Sequence, residues 1–153
     1  LQPRPSAEMM AVVYAAAGDT AGARARLENA STGLRSRLER EPDNATLWGR
    51  LGRMEAILGN KDEARRCARK AVELVPASVD SLDGPKHAAD LAFVYAWTGD
   101  KDRAIAEYAR LLRSPAGGQN VYRMKLDPTY APLRGDPRFE ALLNDPKNNE
   151  PLF

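Results

Sequence analysis

One histidine, one cysteine and the absence of a recognisable nucleophile–base pair limit the chemistry open to this chain. His87 stands alone, so neither a multi-histidine metal site nor a Ser-His-Asp triad can be assembled around it. In the opening turn of a helix, it reads as a surface or capping residue. Cys67 is the only cysteine, which excludes an intrachain disulfide and a Cys-x-x-Cys metal site. It falls in a helical stretch where a small, semi-buried packing residue is expected, not a reactive thiol. Gly117-Gly118 lacks the Lys-Ser or Lys-Thr of a phosphate-binding loop and has no strand before it, so it reads as a linker. Asp43, Asp62 and Glu63 are close in sequence only and suit the positive ends of helices. No catalytic, cofactor-binding or metal-ligating residue is expected, and the sequence reads as a non-enzyme.

What must position these residues follows from composition. At 153 residues the chain fits one domain, able to bury roughly two-thirds of its unfolded surface without covalent staples. Lys and Arg number 23 against 21 Asp and Glu, and the signs alternate, so no strong pull toward nucleic acid or an anionic membrane is expected. No run is long and apolar enough to span a bilayer, and no signal peptide is recognisable. The chain begins at Leu1 without an initiator methionine, which reads as a processed product or a piece of something longer.

Alanine, leucine and arginine favour helix throughout. Gly18-Asp19, Gly59-Asn60 and Gly99-Asp100 each interrupt a helical pattern, with Gly closing one helix in a left-handed cap and Asp or Asn opening the next. Glu63 stands three residues after Asn60, as a capping box requires. The turns recur about every forty residues, the signature of helix-pair repeats.

Between Ala45 and Ser78, the residues Trp48, Leu51, Gly52, Gly59, Ala64, Ala68, Ala71 and Pro76 fall at the spacing of a tetratricopeptide repeat (TPR), and the stretch resembles one full unit. Leu91, Ala92, Tyr95, Gly99, Ala104, Tyr108 and Leu111 repeat the pattern, as do Met10, Ala11, Tyr14, Gly18, Ala23, Leu27 and Ala30. Small residues at Gly52, Ala64 and Ala71 let antiparallel helices approach closely. Glu55 departs from the family, standing where Tyr14 and Tyr95 are aromatic, and reads as a looser spot or a buried acid with a partner.

The resemblance implies an all-α, right-handed α-α superhelix of three TPR-like antiparallel helix pairs plus short C-terminal capping helices, with at least seven helices and essentially no sheet. The units run at about 4–44, 45–78 and 79–115, with a cap over 116–147 and a tail over 148–153. From Gly18 to Gly59 is 41 residues, and the extra length between Ala30 and Pro42 is expected to lengthen the second helix of unit one. An added turn or loop is expected near Val79 to Gly84, before Pro85 in the first turn of a helix. Asp127-Pro128, Asp136-Pro137 and Asp145-Pro146 are helix-start dipeptides, and with Phe139, Leu142 and Leu143 they predict short helices packed over the last repeat around Ile105, Tyr108 and Leu112.

In stacked units of this family the first helix of each pair lines the concave side. The resemblance therefore places Glu8, Val12 and Ala15, then Gly49, Arg50, Arg53 and Ile57, then Ala89, Asp90, Phe93 and Trp97 on that surface. Two arginines beside Phe93 and Trp97 would cradle a peptide with acidic and apolar groups. The chaperone-binding branch uses a Lys/Asn carboxylate clamp; Glu8, Val12, Arg50 and Arg53 stand at those positions, so chaperone tails are not expected partners. The implied function is a protein-interaction or scaffolding module acting through its groove or by self-association, without cofactors. The alternative is a regulatory C-terminal segment of a bacterial kinase, cyclase or winged-helix regulator. A small-molecule ligand would require a closed pocket, which three repeats rarely make. Cytoplasm is the default compartment, and a membrane helix upstream in a parent chain would place the piece outside it.

Overall fold

The computed structural model describes residues 5–150, and every regular element among them is helical. Six long helices come first: α1 (Ala7–Ala16), α2 (Thr20–Arg40), α3 (Ala45–Leu58), α4 (Lys61–Leu74), α5 (Gly84–Trp97) and α6 (Lys101–Leu112). They are followed by α7 (Val121–Leu126), a 3-10 turn (Pro128–Leu133), α8 (Pro137–Asn144) and a second 3-10 turn (Pro146–Asn149). Consecutive helices pack on one another, α1 on α2, α3 on α4 and α5 on α6, while α2 meets α3 and α4 meets α5. The architecture is an all-α assembly of sequential helix pairs.

Each pair reverses at a glycine whose φ is positive, +82° at Gly18, +87° at Gly59 and +90° at Gly99, a conformation that a Cβ would disfavour. Asp19 then caps α2 by accepting from the Gly22 amide at 2.7 Å, and Asp100 caps α6 by accepting from Arg103 N. The expected capping box at Asn60 and Glu63 does not form. The Asn60 amide instead donates to Glu55 Oε2 at 2.6 Å, and Glu63 is held by Arg66 and Arg35. A buried carboxylate one turn back has the stronger claim on Asn60.

Close helix approach is visible at Gly52, where an added Cβ would lie 3.0 Å from both Ala64 O and Ala68 N. The expected lengthening of the second helix of unit one is present: α2 runs 21 residues and buries Ala23, Leu27, Ser31, Leu34 and Leu38 along one stripe. Pro85 occupies the first turn of α5 after an irregular stretch at 75–83, as expected.

The C-terminal elements start where the Asp-Pro dipeptides predict. Asp127, Asp136 and Asp145 accept from the amides of Thr129, Arg138 and Lys147, each with proline in the first turn. Phe139 and Leu143 are buried with Tyr108 and Leu112, and Ile105 and Leu142 flank them. The segment does not stop over the last pair. Its first 3-10 turn also packs on α5 and crosses to α1, so the last part of the chain meets its first helix.

Candidate functional site

On the face expected to be concave, the charges of α1, α3 and α5 pair with each other. Arg53 sits at the centre, with Nε 2.6 Å from Glu8 Oε1 and Nη1 3.5 Å from Asp90 Oδ1. Its guanidinium lies 4.0 Å from the centroid of the Phe93 ring. Arg50 reaches the other oxygen of Glu8 at 3.8 Å. Burial disfavours the Arg53 charge, but the two carboxylates outweigh it and hold the guanidinium above its ordinary pKa. Gly49 allows this approach, since a Cβ there would strike the Asp90 carboxylate.

The structure brings Glu8, Arg50, Arg53 and Asp90 together, but Val12 and Phe93 are buried in the core with Ala56 and Val94. Ile57 and Trp97 are half-buried beside them, and Trp97 stacks on Phe93 at 5.6 Å. The Trp97 indole donates to Thr129 O at 2.9 Å, so the chain itself packs against this end of α5.

A cleft of about 390 Å³ opens between α1 and the segment from Arg123 to Thr129. Met9, Val12, Val13 and Pro128 form its apolar wall. Two ion pairs flank it, Glu8 with Arg53 and Arg123 with Asp127, the latter at 3.0 Å. Met9 is 60% exposed and Val13 46%, and on α7 Tyr122 and Leu126 are more exposed still. Of the residues expected on the concave side, Glu8, Val12 and Arg53 line the cleft. Met9, Val13 and the wall from Arg123 to Thr129 escaped the sequence reading. Nothing local in Asp127-Pro128-Thr129 says that this stretch crosses to α1.

Away from the cleft, Glu55 is the buried acid with a partner: Arg35 Nη2 donates to it at 2.8 Å and Asn60 at 2.6 Å. Beside it, hydrogen bonds from Arg66 hold Glu63 down at about 2. Cys67 is fully buried, and burial pushes its thiol up to about 12, so almost no thiolate is present near neutral pH. His87 corrects the sequence reading: it is 5% exposed, not on the surface. Its register partner in unit two is Leu47, which is also buried, and the repeat overrides the preference of a polar ring for the surface. The His87 Nδ1 atom has no hydrogen-bond partner and lies 3.9 Å from Asp90 Oδ2.

Among the described residues no three His, Cys, Asp or Glu side chains gather as metal ligands, and no helix is long and apolar enough to cross a membrane. No family model, curated protein or solved structure matches the chain.

Proposed function

We propose that this chain is a protein-interaction module, three TPR-like helix pairs in a right-handed superhelix, and that its partner docks at the cleft between α1 and the 123–129 segment. The superhelix is supported by the register: Gly18, Gly59 and Gly99 turn alike, and Ala23, Ala64 and Ala104 are buried alike. The docking site rests on one observation, an exposed apolar wall of Met9 and Val13 in a cleft whose charges are already paired. Paired charges leave no strong electrostatic bait, so the cleft favours apolar side chains of a folded partner over a small ion. The inner arginines act as positioning groups for α1, with Arg53 tying Glu8 to α3.

A photo-reactive residue at Met9 tests this in the cells that make the chain. The expected result is one dominant covalent adduct to a single protein, lost on Val13→Asp and absent when the photo-reactive residue stands at the exposed Val79. Equal labelling from Met9 and Val79 would count against the site.

A further inference from the structure

Beside the cleft lies a smaller cavity of about 70 Å³, whose polar lining is Arg53, Tyr108, Gln119, Arg123, Thr129 and Tyr130. These residues come from α3, α6, the loop before α7, α7 itself and the first 3-10 turn. Arg53, Arg123 and Thr129 also line the cleft, so the two spaces adjoin.

The lining is rich in hydrogen-bond donors that the fold does not use. Arg53 engages Glu8 through Nε and Asp90 through Nη1, and Arg123 engages Asp127 through Nε. The Tyr130 hydroxyl donates to Gln119 Oε1, which leaves the Gln119 NH₂ group as a donor. Arg53 Nη2, both Nη atoms of Arg123, Gln119 Nε2 and the Tyr108 hydroxyl make no hydrogen bond among the described residues. Tyr108 is the most telling of them, since it is only 1% exposed. Burial holds its phenol above the ordinary pKa, with Tyr130, Asp90 and Asp127 adding to the rise and Arg53 opposing it. The hydroxyl therefore stays protonated and faces the polar groups around the cavity. A buried hydroxyl without a partner is costly, and the cavity is where its acceptor would sit.

Donors call for an oxygen acceptor, and the surrounding charges decide which kind. Arg50, Arg53 and Arg123 are matched by Glu8, Asp90 and Asp127 through contacts of 2.6 to 3.8 Å. A carboxylate or phosphate placed here would add to three anions already present, whereas a neutral carbonyl oxygen meets the donors without that repulsion. The volume narrows the choice again. At roughly 30 Å³ per water the cavity takes about two waters, which is room for the end of a side chain and not for a main chain that continues on both sides. We propose that this well takes the carboxamide of an asparagine or glutamine side chain, presented by the protein docked on the Met9–Val13 wall. What delivers the amide rests on the docking reading above; the preference for an amide rests on the well alone.

Acetamide is the probe, compared with N-methylacetamide and acetate, each titrated into the full chain and followed through the Arg53 Nε–H and Tyr108 ring signals in NMR spectra. The expected result is a saturable shift with acetamide at roughly millimolar concentration and a response about ten-fold weaker, or less, with either comparison. Tyr108→Phe and Gln119→Glu each remove one donor and keep the shape of the side chain. Each should weaken acetamide roughly five-fold or more while the thermal midpoint stays within a few degrees of the parent. The absence of a saturable shift with acetamide would overturn the proposal and leave the cavity to water. Acetate bound as tightly would replace the neutral group with an anion, and N-methylacetamide bound as tightly would replace the side chain with a main-chain carbonyl; either overturns the assignment. Binding indifferent to both substitutions would place acetamide outside the well and overturn it too. Acetamide bound in the well without any adduct from the Met9 photo-probe would sink the docked partner and leave the chemistry of the well standing. A Met9 adduct on a chain that ignores acetamide would do the reverse.

Discussion

Replacing Phe139 with alanine tests whether the C-terminal segment is structural. The ring is fully buried, 6.4 Å from the Tyr130 ring, and Tyr130 in turn sits edge-on to Tyr108 at 5.2 Å. Removing a buried phenyl costs about 3–5 kcal/mol from lost burial and the cavity left behind. In a domain of this size each kcal/mol moves the midpoint by about 2–4 °C, so Phe139→Ala should melt roughly 6–20 °C lower. The loss should reach further than α8. Tyr130 lies in the 3-10 turn whose Thr129 carbonyl accepts from Trp97, so loosening that turn should shift Trp97 emission to the red before the main transition. Lys147→Ala, at an exposed position, should stay within about 0.5 kcal/mol of the parent. Differential scanning calorimetry and fluorescence melts read both effects. Equal midpoints for the parent and Phe139→Ala would show that the segment is a loose appendage, and the wall it lends to the cleft would then have to be abandoned.

Three further outcomes follow from the packing and charges. Gly52→Ala places a methyl group against the backbone of α4, and denaturant titration should show a loss of about 1–3 kcal/mol. Arg66 and Arg35 hold the Glu63 carboxyl at about 2 in the folded chain, below its unfolded value. Its contribution is therefore complete above the unfolded pKa and is lost as pH falls toward 2; Glu63→Gln should flatten urea-midpoint curves in that window. Cys67, buried with its thiol near 12, should react with a thiol reagent at pH 8 no faster than the chain unfolds. Rapid labelling of the native protein would contradict its burial.

The helices and their turns were legible because their causes are local. Glycine in the left-handed region and aspartate before proline act within a few residues, and both the 21-residue α2 and the Asp-Pro starts appear where the spacing puts them. Glu55 was legible as an exception to the repeat, and its partner Arg35 followed only from the packing of α2 against α3. The misses share a long-range origin. Asn60 abandons its cap for the Glu55 carboxylate across the turn, and His87 is buried because its register position is covered by the neighbouring pair. The inner arginines looked free in sequence because Glu8 and Asp90 lie 45 and 37 residues from Arg53. The cleft itself needs the return of residues 123–129 to α1, which no local pattern encodes.

Docking at α1 is tested most directly by affinity, with the partner trapped at Met9 purified and titrated calorimetrically against the parent chain and Val13→Asp. Burying an added carboxylate against an apolar surface should weaken binding at least ten-fold, about 1.4 kcal/mol, while the melting of the free chain barely changes because Val13 is half exposed. Equal affinity for both chains would contradict a partner seated on this face.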